Sequence, residues 1–259
     1  MDCAVAVVQT RPAAREVAGN LDRALTLVAE AAAEGAEVVV LPEHFATGYD
    51  LDAAGALAEP PGGRVENALQ AAAKEHDIVL VTALPVREPN GLATVALVHT
   101  PDGATHRRRK RRLFAGERRR LIAGEPPAVA RSAVATLAPL VCYELEFPED
   151  ARAAARAGAH LLAVPSAFTT PRIWDLATRA RALENGVFLA AANLGSPHCG
   201  ASRIVAPDGQ ILASVDGREG VAVARARWAA YDAWRADHPY LQDLALLGEP
   251  RAGELEPLV

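Results

Sequence analysis

The stretch Gly35-Ala36-Glu37-Val38-Val39-Val40-Leu41-Pro42-Glu43 decides the fold once it is set beside Gly158-Ala159-His160-Leu161-Leu162-Ala163-Val164-Pro165-Ser166. Each begins with a glycine that ends an Ala-rich, helix-like pattern, continues as an apolar run of strand length, and closes on Pro plus a polar residue. Ala4 to Val8 and Ile78 to Leu84 are further runs of the same kind. Being apolar throughout, these runs read as strands covered on both faces. Glu16 to Glu34, Val65 to Glu75, Pro148 to Ala157 and Trp174 to Asn185 read as the helices between them. Strands alternating with helices predict an α/β fold. Each half also carries a hairpin signal, Pro101-Asp102-Gly103 after Leu92 to His99 and Pro207-Asp208-Gly209 after Ser202 to Val205, so the sheets should be mixed. Two such halves packed sheet to sheet would put the strand ends Glu43 and Ser166 on one rim. Ala-rich sequences also produce such echoes by chance.

The 259 residues are 51% hydrophobic, enough for a sizeable core without disulfide or metal, and the net charge is −5. An acidic balance is the wrong sign for a nucleic-acid or anionic-membrane binder. Three scattered cysteines (Cys3, Cys142, Cys199) offer neither a disulfide framework nor a CxxC metal site. The apolar run near the N-terminus stops at Gln9, too short for a signal or a membrane span. A cytoplasmic protein with no metal and no cofactor is expected. No linker breaks the chain, so residues 1–259 should form one domain, with 236–259 as an extended, Leu-bearing tail.

Three residues stand where chemistry is expected. Cys142 ends the apolar run Leu137 to Val141, and a helix should start near Pro148; a thiol on such an elbow can be exposed at the sheet rim, although a buried structural cysteine would read the same way. Glu43 closes a buried strand, where open α/β sheets place ligands, although a loop acid fits the position equally. Lys110 lies within His106-Arg107-Arg108-Arg109-Lys110-Arg111-Arg112, which alone reads as a basic patch. If Ala104 to Arg112 is a strand, Lys110 shares a face with His106, Arg108 and Arg112, and can point into a site while other arginines are solvated or paired with acids.

Together these blocks resemble the nitrilase superfamily of carbon–nitrogen hydrolases, from Ala4 to about Leu244. The resemblance rests on Leu41-Pro42-Glu43 with Thr47-Gly48-Tyr49, on Arg109-Lys110-x-x-Leu113-Phe114 with Glu117-Arg118, and on Val141-Cys142-Tyr143-Glu144-x-x-Phe147-Pro148-Glu149. Arg179-Ala180-Arg181-Ala182-x-Glu184-Asn185, Asn193, Gly200-x-Ser202 and Pro207-x-Gly209 extend it. The resemblance implies a four-layer α/β/β/α sandwich and a Glu43, Lys110 and Cys142 catalytic set, with Glu117 positioning substrate and Lys110. It further implies an oxyanion site shared by Lys110 and the Tyr143 N–H, and a homodimer formed through the helix from Pro148 and the tail. Tyr49 and Phe168 could line the pocket or simply pack. Arg179 and Arg181 read as ion-pair partners, and Asn193 as a residue that orders backbone. The chain departs from the pattern at Arg111 and Arg112, where a small hydroxyl residue and a His are usual, and at Ser166-Ala167-Phe168.

A small carboxamide is the expected substrate, cleaved through a cysteine thioester; a carbamoyl or ureido acid, or a nitrile, would use the same set. A nucleic-acid module using His106 to Arg112 lacks aromatic interleaving, and a papain-like protease lacks a His in a suggestive motif. A catalytically silent scaffold would not need all three positions filled.

Overall fold

In a computed structural model, the structure describes residues 2–217 and 219–247. The chain runs β1 (Cys3–Gln9), α1 (Val17–Ala33), β2 (Val38–Glu43), α2 (Leu51–Leu57), α3 (Arg64–Glu75), β3 (Val79–Glu88), β4 (Gly91–His99) and β5 (Thr105–Arg109). It continues with β6 (Ala130–Arg131), β7 (Thr136–Pro139), α4 (Pro148–Arg156), β8 (Leu161–Ser166), α5 (Pro171–Leu183), β9 (Phe188–Asn193), β10 (Arg203–Val205) and β11 (Ile211–Ser214). Last come β12 (Gly220–Ala226), α6 (Trp228–Asp237) and α7 (Tyr240–Leu247).

Two six-stranded sheets result, in the orders β12-β1-β2-β3-β4-β5 and β11-β10-β9-β8-β7-β6. In the first, β1, β2 and β3 run parallel and β4 and β5 add antiparallel. In the second, β7, β8 and β9 run parallel and β10 and β11 add antiparallel. The halves therefore share one topology, and β2 and β8, the strands of the sequence echo, hold the same place in it. Their entries match too. Gly35 (φ 85°) and Gly158 (φ 93°) follow α1 and α4 in the left-handed region. Ala36 N–H donates to Ala31 O, and Ala159 N–H to Ala154 O, the six-to-one bond that closes a helix on such a glycine.

Strand periodicity explains the layers. Ala6, Val8, Val39, Leu41 and Leu80 point outward into a cluster with Leu21, Ala24 and Val28 of α1 and Leu69 of α3. The alternating Val5, Val7, Val38, Val40, Val79 and Val81 point the other way, into a core shared with the second sheet. Full burial of one such valine or leucine contributes roughly 1.5–3 kcal/mol. Helices α4 and α5 cover the far face through Ala151, Ala154, Ala155, Trp174 and Ala177. The expected α/β/β/α sandwich with mixed sheets is what forms.

Several expectations need correction. The expected tail is helical over Tyr240–Leu247 rather than extended; the rest of it, 248–259, lies outside the described residues. The fourth helix begins at Pro171, not Trp174, because a proline suits a first helical turn. Strand β5 ends at Arg109, not Arg112: Arg111 N–H turns to the Glu144 carboxylate, and Arg112 reaches Asp150. No helix among the described residues is long and apolar enough to cross a membrane.

Candidate active site

Glu43, Lys110, Glu117 and Cys142 converge where the two sheets meet. Glu43 is the last residue of β2, Lys110 follows β5, and Glu117 sits in a 3₁₀ turn over Ala115–Arg119. Cys142 opens a second 3₁₀ turn, Cys142–Glu146, just past β7. Lys110 Nζ donates to Glu43 Oε1 at 2.8 Å and to Glu117 Oε1 at 2.9 Å, and all three side chains are fully buried. Tyr49 OH donates to the same Glu117 oxygen at 2.8 Å. The other oxygen, Oε2, accepts Phe114 N–H at 2.6 Å and so ties the carboxylate into the start of its own turn. Glu117 thus pairs with Lys110, not with Arg118, Arg119 or Arg120.

Among the described residues Glu43 Oε2 is buried without a hydrogen-bond partner. Besides Lys110 and Glu117, the Cys142 thiol is the group that bears on this carboxyl. A buried, unsatisfied carboxylate oxygen is costly in a purely structural role, whereas it is what a proton acceptor beside a thiol requires.

Burial dominates the ionisation of the cluster. It pushes Glu43 up to about 7, and the Glu117 charge adds to the effect while Lys110 opposes it. The Cys142 thiol is raised well above its usual range, first by burial and then by Glu43. Burial also works against a charged Lys110, but Glu43, Cys142 and Glu117 outweigh it and hold the ammonium charged. The resting site is therefore a neutral thiol, a fixed ammonium and a carboxyl poised near neutrality.

The backbone is bent to reach this state. Cys142 has φ 48°, His44, next to Glu43, φ 54°, and Ala115, two residues before Glu117, φ 34°. Non-glycine residues rarely enter this region, at a cost of about 1–3 kcal/mol each, and they concentrate at functional sites. The surroundings hold Cys142 there: Glu144 Oε2 accepts Val141 N–H at 2.6 Å, and Glu144 is ion-paired to Arg108. As the second residue of the turn, Tyr143 presents an N–H that no intrahelical carbonyl accepts. Cys142 is only 8% exposed, contrary to the expected exposed elbow: it belongs to the core cluster with Leu140, Val141 and Leu145.

Beside the thiol lies a cavity of about 200 Å³ whose lining includes Tyr49, Tyr143, Phe168, Glu146 and His198. Both aromatic residues expected near substrate, Tyr49 and Phe168, reach it. Asn193 orders backbone, its amide bonding Phe168 N and O and Gly200 O. Arg181 pairs with Glu184, whereas Arg179 donates to Gly209 O and makes no ion pair among the described residues. Most of the basic run is spent internally: Arg107 pairs with Glu66, Arg108 with Glu144, Arg109 with Glu88 and Arg112 with Asp150. Sequence reasoning assigned no role to Glu144, Arg108, His44 or Glu146. Only Glu144 carried a signal, as part of the cysteine block.

Comparison with known proteins gives concordant findings. The carbon–nitrogen hydrolase family model matches residues 4–236. A Pseudomonas protegens protein described as the hydrolase in the pqqF 5′ region is 37% identical over 81% of this chain and 77% of its own length. Human omega-amidase NIT2 is 30% identical over 78% of this chain and 80% of its own. Among solved structures, Saccharomyces cerevisiae Nit3, of the nitrilase superfamily, superposes with TM-score 0.86 at 27% identity, covering 92% of this chain and 94% of that one. An amidase from Nesterenkonia sp. AN1, solved with butyramide, superposes with TM-score 0.81 at 30% identity, covering 91% and 95%. Another form of that amidase carries acrylamide added to its active-site cysteine.

Proposed function

The chain belongs to the carbon–nitrogen hydrolase family, and from that premise we propose that it hydrolyses small carboxamides to the acid and ammonia, with Cys142 as nucleophile. The observation that carries this reading is the buried Glu43–Lys110–Glu117 cluster set against a thiol, with one Glu43 oxygen left free.

As Cys142 Sγ attacks the amide carbon, its proton passes to Glu43. The carbonyl oxygen gains the negative charge and is held by Lys110 and the Tyr143 N–H, each such donor contributing roughly 3–4 kcal/mol to the transition state. Glu43 then returns the proton to the departing nitrogen, and the C–N bond breaks to leave a thioester. Water, deprotonated by Glu43, attacks the thioester carbon; the C–S bond breaks, and the thiolate recovers the proton from Glu43. Glu117 keeps the ammonium in place throughout and, through Tyr49, fixes one wall of the pocket.

We further read the protein as a cytoplasmic homodimer with no cofactor. Its three free thiols suit a reducing compartment. The test of the main reading is ammonia release from butyramide, with N-carbamoyl amino acids and butyronitrile as comparison substrates. Turnover of the amide, lost in Cys142→Ala and in Glu43→Gln, is expected; turnover of butyronitrile or the carbamoyl compounds alone would overturn the amide assignment.

A further inference from the structure

The cavity beside Cys142 has an unusual wall. Of the five Phe, three Trp and four Tyr in the whole chain, Tyr49, Phe114, Tyr143 and Phe168 all line it. Phe114 and Tyr143 meet edge to face with centroids 5.2 Å apart, and Tyr49 meets His198 the same way at 6.3 Å. Among the described residues no lysine or arginine lines the cavity, and its one acid is Glu146.

Among the described residues the Glu146 carboxylate makes no hydrogen bond and no ion pair. Arg181 is the cation that acts on it, but its guanidinium is committed elsewhere: Nη1 to Glu184, Nε to Leu145 O and Nη2 to the backbone O of Glu146 itself. Partial burial raises the Glu146 carboxyl. The other titratable groups nearby do not supply positive charge. His198 is pushed down by burial and stays neutral, and Lys110 is already opposed by two carboxylates.

Aromatic faces attract a cation and repel an anion, and a partly buried carboxylate among them does the same. A substrate with a carboxylate at its far end would meet four rings and an acid, with no counter-ion. We propose that this cavity selects amides whose far end is an ammonium on a short apolar stem, Glu146 being the specificity residue. The volume, about 200 Å³, sets the stem at a few carbons, since a water-sized group takes roughly 30 Å³. This selection rests on the amidase reading above and deepens it.

Calorimetric titration of the Cys142→Ala protein at pH 7.5 tests the inference without needing turnover. The ligands are 5-aminopentanamide, its neutral isostere hexanamide and the monoamide of glutaric acid. The amine should bind about tenfold more tightly than hexanamide, a gain of about 1.4 kcal/mol, and the carboxylate more weakly than either. In Cys142→Ala/Glu146→Gln the amine should fall to within about twofold of hexanamide. The inference is overturned if the carboxylate binds as well as the amine, if the amine does not bind, or if its preference survives Glu146→Gln. The amidase reading fails separately, if the unmodified enzyme releases ammonia from none of the three.

Discussion

Arg108 and Glu144 join the two sheets at the site: Arg108 Nη1 donates to Glu144 Oε1 at 2.8 Å and Nη2 to Oε2 at 2.5 Å, both side chains being buried. Arg108 lies two residues before Lys110 and Glu144 two residues after Cys142. Glu144 also accepts the N–H of Arg111 at 2.7 Å and of Val141 at 2.6 Å. One ion pair thus fixes the backbone beside the ammonium to the backbone beside the thiol.

Glu144→Gln should therefore lower stability by about 3–5 kcal/mol in urea unfolding, because it strands a buried guanidinium. Arg108→Met/Glu144→Leu should recover part of that loss, yet turnover should stay low in both variants. A Glu144→Gln protein within about 1 kcal/mol of the parent would show that the pair does not hold the sheets.

Activity should depend on pH through Glu43. Its carboxyl is pushed up to about 7 by burial, and only the ionised form can accept the thiol proton. kcat/KM for a neutral amide should then fall about tenfold per pH unit below 7 and level off above it. Cys142 and Lys110 titrate far higher and add no descending limb near neutrality. A rise centred in the ordinary carboxylate range, near 4 to 5, would assign the base elsewhere.

Iodoacetamide should label Cys142 first and abolish turnover in step. Because the thiol is neutral at rest, the labelling rate should follow Glu43 ionisation and collapse in Glu43→Gln. Cys3 is 1% exposed with its thiol pushed up to about 12, and should stay unmodified. Cys199, half-buried and held by Asn193, should react slowly. Mass spectrometry finding Cys199 labelled in proportion to lost activity would sink the assignment.

Glu117→Gln should lower kcat by about 10²–10³, the size of a displaced oxyanion donor, with a smaller effect on KM, since the amide no longer balances Lys110. Tyr49→Phe removes only the 2.8 Å bond to Glu117 and should cost less than tenfold. Steady-state kinetics separate the two; equal losses would mean that Tyr49 itself touches the reacting atoms.

Light scattering should report a dimer. Leu244 of α7 and Arg152 and Arg156 of α4 line one groove, and Leu246 is 82% exposed. Leu246→Asp should shift the mass towards the monomer; an unchanged dimer would move the interface elsewhere.

The readable parts of this protein were those written in contiguous residues. Glu43, Lys110 and Cys142 each sit in a local block, and the paired stretches at Gly35 and Gly158 carry the strand, the glycine and the preceding helix together. What could not be read depends on residues distant in sequence. The role of Glu144 requires Arg108 to arrive from the other sheet, and that of Glu146 requires a cavity assembled from five separate segments. Helix α2 is short and contains Gly55; it is held by Asp50, whose carboxylate accepts Asp52 and Ala53 N–H, a cap that outweighs weak propensity. Tyr240–Leu247 looked extended because Pro239 and Gly248 flank it, although both are compatible with helix ends.

The pairing of β12 with β1 sets a timetable for synthesis. Gln9 meets Gly220 and Cys3 meets Ala226 across a seven-residue antiparallel register, so the first strand made waits for the last. At about 5–20 residues per second, a ribosome needs roughly ten to forty seconds to travel from one to the other. All that time the free flank of β1 presents unpaired amides and carbonyls to whatever strand comes near. Glu43, Lys110, Glu117 and Cys142 have all emerged long before, but the sheet that aligns them has no finished border. A nascent chain halted before Gly220 should therefore be a target for chaperones and for edge-to-edge self-association, and should become competent only once β12 has paired.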